Sequence, residues 1–201
     1  MTADMHPNLR HLPFGAAELE PRTDMTEWDI FPYAAEGLRL RPLDPPLEAE
    51  PPRMGESGSA DCKLCAQPDE DYLWTDEHWR LKSTGEPSAC PAVVLLEPRV
   101  HADLLDLPAP VAAGFGPMIQ RVSAAVAGIG GVGRVHFYRW GDGAAHLHLW
   151  FLARPLGVGQ LRGVFLAPWD NALPAIGEEQ WRANLAAIAA AMAEQGGVAH
   201  R

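Results

Sequence analysis

The alternation of hydrophobic and polar positions is regular from about residue 62 onward and irregular before it. Residues 178–192 place Trp181, Leu185, Ile188 and Met192 on one face at helical spacing, which predicts an amphipathic helix. Residues 111–129 do the same with Val111, Phe115, Met118, Ile119, Val122, Val126 and Ile129. Gly114, Gly116 and Pro117 interrupt that stripe and predict a kink or a separate first turn, and Gly128-Ile-Gly-Gly131 ends it. Ala92-Val-Val-Leu-Leu-Glu97 is short and apolar, as in a buried strand. Residues 134–140 and 145–152 read as further strands, residues 72–79 and 80–84 as a hairpin, and residues 168–171 as a turn with Trp169 packed under the terminal helix. The order of strands, long helix, two strands and terminal helix predicts an α+β domain over residues 61–201 with an antiparallel sheet.

Residues 1–60 hold 9 of the 19 prolines and little periodicity, so they read as a separate, acidic, proline-rich extension. Pro42-Leu-Asp-Pro-Pro46 through Pro51-Pro52-Arg53 reads as an extended connector, and Gly55-Glu-Ser-Gly-Ser59 as a flexible joint. Trp28-Asp-Ile-Phe-Pro-Tyr33 is too aromatic for a bare linker. It reads as a segment packed on the main domain, or an arm that reaches a second subunit or covers a pocket.

Charge changes the picture next. With 16 basic and 26 acidic residues the net charge is −10, which argues against nucleic acid or an anionic membrane as the main partner. A small nucleotide needs only a few local donors and stays open. No apolar run reaches the length of a membrane span, and residues 1–20 lack the apolar core of a secretory signal. Three cysteines make no disulfide framework in a chain of 201 residues, so the expectation is a cytoplasmic protein with reduced thiols. In that setting Cys62-Lys-Leu-Cys65 points to metal binding or redox chemistry.

The chemistry concentrates at Ala145-His-Leu-His-Leu-Trp-Phe-Leu152. On a strand His146, His148, Trp150 and Leu152 share one face, and Leu147, Leu149 and Phe151 face a core. The two histidines then stand roughly 7 Å apart, suited to two neighbouring tasks. His101 follows the buried strand and the turn Glu97-Pro-Arg-Val100. Two thiolates and two neutral imidazoles around a dication sum to zero charge, which a half-buried site tolerates. His136 and Cys90 read as structural, although His136 is spaced to share a face with Tyr138 and Trp140.

Cys-x-x-Cys, a strand with a histidine just after it, a long helix, and His-x-His on a strand resemble the histidine triad (HIT) superfamily over about residues 62–155. The pattern is similar in particular to the zinc-containing members and the galactose-1-phosphate uridylyltransferase branch. The resemblance implies a HIT-like antiparallel sheet with a long helix and a C-terminal helix, often in a homodimer. It implies a structural zinc ion on Cys62, Cys65, His101 and His146. It implies a nucleotide hydrolase or nucleotidyltransferase that forms a covalent nucleotidyl intermediate on His148.

The chain departs from that pattern where the substrate would lie. Trp150 stands at the third triad position, with one indole donor and no acceptor. The preceding loop, Trp140-Gly-Asp-Gly-Ala-Ala145, offers the backbone of Gly141 and Gly143 but also the Asp142 carboxylate. Arg139, and beyond it Arg99 and Arg154, are the cations available to offset that charge. Arg139, Gly141, Gly143 and Trp150 are therefore the expected substrate contacts. The alternatives are a catalytically silent, zinc-stabilised binding module, and an enzyme that uses Trp150 to stack on a different organic substrate.

Overall fold

A computed structural model describes residues 5–17, 33–34, 39–40, 47 and 49–200, with residues 33–34 and 39–40 described by their backbone alone. The aromatic segment 28–33, apart from the backbone of Tyr33, and the prolines at 42, 45 and 46 lie outside the described residues. A short antiparallel pair joins β1 (Tyr33–Ala34) to β2 (Arg39–Leu40). The main sheet has six antiparallel strands in the order β6-β7-β5-β4-β3-β8. These are β3 (Trp74–Thr75), β4 (Trp79–Ser83), β5 (Val93–Pro98), β6 (Val132–Tyr138), β7 (Leu149–Pro155) and β8 (Val198–Ala199). The helices are α1 (Lys63–Ala66), α2 (Ala109–Ala127), α3 (Leu166–Ala172) and α4 (Glu178–Ala193). No helix among the described residues is long and apolar enough to cross a membrane.

Strand alternation divides the hydrophobic residues between two cores. Val94, Leu96, Leu149, Phe151 and Ala153 face α2 and α4, where Val122, Val126, Trp181, Leu185, Ile188 and Met192 complete the larger core. Val93 and Leu152 face the other way, into a smaller core with Leu12, Cys90, Leu161, Leu166 and Leu173. One end of the second sheet face is thus roofed by residues 5–17 and 161–173. The roof is fastened by a buried amide chain: Asn184 Nδ2 donates to Asn8 Oδ1 and to the Pro91 carbonyl, and Asn8 Nδ2 donates to the Gly130 carbonyl.

Several expected elements shift. α2 is continuous through Gly114, Gly116 and Pro117, with no separate first turn. The lost Pro117 hydrogen bond is outweighed by burial of Val111, Met118, Val122, Ala125 and Val126. Residues 168–171 form part of helix α3 rather than a turn, and Trp169 packs on the second core instead of under α4. Pro168 is tolerated because it falls in the first turn, where an N–H has no helical acceptor. The hairpin turns at residues 76–78, where Asp76 Oδ1 accepts from the His78 and Trp79 amides. β7 begins at Leu149, later than the alternation suggested. The preceding residues bond to loops instead of a strand: Ala145 N donates to the Met54 carbonyl and Leu147 N to the Ala102 carbonyl, at 3.0 and 2.9 Å. β8 was not anticipated; it pairs with β3 at the edge of the sheet.

Candidate functional site

Four side chains from three separate stretches of the chain converge at one end of β5 and β7. Cys62 precedes the single turn of α1 and Cys65 lies within it, so both sulfurs emerge on one side. His101 follows the end of β5, and His146 lies in the bent stretch before β7. Their ligand atoms all fall within 4.8 Å of one another, a group able to hold a metal ion. His146 Nδ1 is 3.5 Å from Cys62 Sγ and 3.3 Å from Cys65 Sγ, and His101 Nδ1 is 3.3 Å from Cys65 Sγ.

Backbone carbonyls orient both rings. His146 Nε2 donates to the Pro98 carbonyl at 2.7 Å and His101 Nε2 to the Gly55 carbonyl at 3.0 Å. Each ring thereby keeps its proton on Nε2 and turns the Nδ1 lone pair toward the sulfurs, the usual outer support of a metal ligand. Burial, then the adjacent Cys62 thiol, push the Cys65 thiol up to about 11, so a cation is needed to hold it as a thiolate at neutral pH. The stretch at 55–59, expected to be a flexible joint, is a turn folded against this cluster. Gly55 has φ +76°, and a Cβ there would stand 2.9 Å from His101 Cε1 and 3.0 Å from Cys62 Cβ.

A buried charge network supports the cysteine turn from behind. Glu97 is fully buried and pairs with Arg80 at 3.1 Å and Lys82 at 3.4 Å. It also accepts from the Tyr72 hydroxyl. Burial and then the Glu97 carboxylate push the Tyr72 phenol well above its ordinary range. Arg80 lies over the Tyr72 ring and donates to the Leu64 and Gln67 carbonyls at 3.0 and 3.3 Å, clamping α1 to β4. The sequence signal was present but unread: a glutamate closing an apolar run, and two cations at alternating positions on the neighbouring strand.

His148 is half-buried, and its Nδ1 lies 2.9 Å from the His146 carbonyl. Leu147, Leu149 and Phe151 occupy the larger core, and His148 stands immediately before the first residue of β7. His146 therefore has three attachments: Nδ1 toward the sulfurs, Nε2 to Pro98, and its carbonyl to His148.

The expected substrate contacts do not share one cavity: Arg139 and Gly141 line one with Arg53 and Glu56, while Trp150 lines others, and several are engaged elsewhere. Arg139 donates to Asp103 at 2.6 Å, and its guanidinium crosses Gly141 so closely that a Cβ there would stand 2.8 Å from it. The Gly141 carbonyl accepts from Arg53, which also pairs with Asp103 at 2.7 Å. The Gly143 carbonyl accepts from Met54 N at 3.1 Å. Burial works against ionisation of Asp103, but hydrogen bonds from Arg139, Arg53 and the Leu104 amide outweigh it and hold the carboxyl at about 2. Arg99 pairs with Asp69, and Arg154 donates to the Pro155 and Val158 carbonyls. Asp142 is exposed. Arg53, Gly55, Glu97 and Asp103 all escaped the sequence reading.

Trp150 pairs with Leu95 on one side and Tyr138 on the other. Its indole meets Trp140 at 5.6 Å, and Tyr138 and Trp140 stack at 5.0 Å. His136 stacks behind Tyr138 at 6.1 Å. A cleft of about 590 Å³ opens here, walled by Val93, Trp140, Trp150 and Leu152, with Ser88 and Asn171 among its polar residues.

No protein-family model matches the chain, and no curated protein matches it. Solved structures do. A hypothetical histidine triad nucleotide-binding protein from Sulfolobus tokodaii strain7 is 13% identical, covering 66% of this chain and 93% of its own, at a TM-score of 0.50. A histidine triad protein from Bradyrhizobium japonicum is 20% identical, covering 61% of this chain and 92% of its own, at a TM-score of 0.49. A uridylyltransferase is 18% identical, with 66% of this chain and 45% of that one aligned, at a TM-score of 0.48. The first of these likenesses shows that the chain has the histidine-triad fold.

Proposed function

We propose that this chain is a HIT-type nucleotide hydrolase or nucleotidyltransferase that works through a covalent nucleotidyl intermediate on His148. The observation that carries the reading is the 2.9 Å contact of His148 Nδ1 with the His146 carbonyl. A carbonyl only accepts, so the proton stays on Nδ1 and the lone pair of the neutral ring is left on Nε2. That nitrogen attacks the α-phosphorus of a nucleotide. A P–N bond forms as the P–O bond to the leaving group breaks, and the leaving group takes the electron pair. Water or a second phosphate then attacks the same phosphorus and returns the imidazole, the attacking water losing its proton to solvent.

Zinc is the metal the donors suit. Thiolates with imidazoles favour it, and Zn–S and Zn–N bonds at tetrahedral angles separate sulfur from nitrogen by about 3.6 Å. The contacts of 3.3–3.5 Å support that fit. With all four positions filled by protein, the ion would be structural: it would hold the thiolates and fix His146. His146, through its carbonyl, in turn sets the tautomer of His148.

A silent, metal-stabilised binding module is the second reading. It is favoured by Trp150, which cannot relay a proton, and by Arg139, which is already paired with Asp103. The deciding experiment incubates the protein and a His148→Ala variant with α-phosphate-labelled nucleotides, quenches them, and measures label and zinc. Acid-labile label on the wild type alone, with about one zinc per chain in both, supports the enzyme. Zinc in both with label on neither across the nucleotide panel supports the silent module.

A further inference from the structure

We propose that the buried Arg80–Glu97 pair is a positioning device that sets Cys65 and His146 in place before a metal ion arrives. The inference rests on the metal reading of Cys62, Cys65, His101 and His146 and adds the residues that prepare that group. Arg80 and Glu97 face each other across the β4–β5 ladder. They are 4% and 0% exposed, so neither charge serves solvation of the surface. A buried ion pair of this kind commonly gives no more stability than packed apolar side chains of the same volume. Arg80 Nε, moreover, is buried without a hydrogen-bond partner among the described residues, which is a cost to folding. The guanidinium is thus seated for the partners of its two terminal nitrogens, at the expense of Nε.

Those partners lie on both sides of the ligand set. On one side, Arg80 Nη2 and Nη1 donate to the Leu64 and Gln67 carbonyls at 3.0 and 3.3 Å. These carbonyls bracket Cys65 in α1, a helix of four residues and far too short to persist on its own. Lys82 Nζ adds a bond to Gln67 Oε1 at 2.8 Å. On the other side, Arg80 Nη2 pairs with Glu97 Oε1 at 3.1 Å. The next residue, Pro98, offers the carbonyl that accepts from His146 Nε2 at 2.7 Å. One guanidinium therefore ties the turn that carries Cys65 to the strand end that orients His146, and Cys65 Sγ stands 3.3 Å from His146 Nδ1. Every bond of this frame is made by protein atoms alone, so the frame does not wait for the ion. A lysine at this position keeps the charge opposite Glu97, but its single nitrogen lacks the planar fork that reaches two carbonyls and a carboxylate together.

The test measures zinc affinity of the full-length chain by competition with a chromogenic chelator, and amide exchange of the metal-free protein by NMR. The proteins are wild type, Arg80→Lys and Asn184→Ala. The last breaks the amide chain at Asn8 and Pro91, outside the network, and controls for a general loss of stability. In the metal-free wild type the Ala66 and Gln67 amides, which donate to the Cys62 and Leu64 carbonyls, are expected to be protected at least about tenfold. Arg80→Lys is expected to remove that protection and to weaken zinc binding about ten- to a hundredfold, the scale of losing an outer support of a metal ligand. Asn184→Ala is expected to stay within about threefold of wild type, since the two sites share no partner. Zinc affinity unmoved by Arg80→Lys, an equal loss in Asn184→Ala, or unprotected Ala66 and Gln67 amides in the metal-free wild type overturns the proposal. The exchange measurement on the wild type needs no variant, so it decides even where Arg80→Lys does not fold. The two readings fail separately. No zinc on the wild type sinks the metal reading and the device with it, whereas equally tight zinc on wild type and Arg80→Lys sinks the device alone.

Discussion

The stretch that carries His148 has two unlike ends. At His146 the side chain is fully buried and both ring nitrogens are directed, one to sulfur and one to a carbonyl. At Trp150 the ring is half-buried, touches another indole, and borders an open cleft. The first end is held by contacts with Cys62, Cys65, Pro98 and His101; the second leaves room. The contrast teaches a division of labour: one end is fixed by its contacts, and the other leaves open space beside it. Each end is then expected to respond differently to damage.

The largest effect is expected from losing the metal-candidate cluster. Structural zinc contributes about 10–16 kcal/mol in small peptides at neutral pH. Cys62→Ser, or a strong chelator, is therefore expected to lower the melting temperature by at least about 10 °C, the equivalent of several kcal/mol in a chain of this size. A chelated protein that melts unchanged would erase the contrast. Glu97→Ala follows, because it strands the buried Arg80 and Lys82 cations without their carboxylate; urea unfolding should show a loss of about 3–5 kcal/mol.

Gly55→Ala is expected to cost on the order of 2 kcal/mol, from a left-handed backbone position and a Cβ pressed on His101. It should also weaken metal affinity, which competition with a chromogenic chelator would read. A smaller effect concerns the loop. The Asp103 carboxyl is held at about 2 in the folded chain, below its unfolded value, so its contribution is present above about pH 4. That contribution is lost as pH falls toward about 2, and the amides of residues 139–145 should then exchange faster with deuterium. Exchange that stays flat across that window would detach Asp103 from the loop. The smallest effect belongs to the open end. Trp140→Ala should change stability by about 1 kcal/mol or less in urea, since one stacked contact is lost from an exposed ring.

Much of this was legible from the chain alone. The terminal helix was read almost to its ends, since Trp181, Leu185, Ile188 and Met192 repeat without a breaker. Of the four residues that converge as a possible metal group, Cys62, Cys65 and His146 lie in the local patterns Cys-x-x-Cys and His-x-His, while His101 came from the family resemblance. What failed to show was whatever depends on a distant partner. Alternation around His146 reported which way side chains face, not that the backbone there bonds to Met54 and Ala102 instead of a neighbouring strand. Gly55 looked like slack because the ring that crowds it is 46 residues away. Arg139 looked like an available cation because Asp103 gives no sign in sequence that it folds back to meet it.

The amide chain from Asn184 to Asn8 spans 176 positions, and so it orders events during synthesis. A ribosome releases the first of these residues long before the helix that receives it. Until α4 has emerged and docked, Asn8 lacks its Asn184 partner, and the roof over the smaller core lacks that fastening. An early part of the described chain thus gains one of its fastenings only after nearly the whole chain has been made.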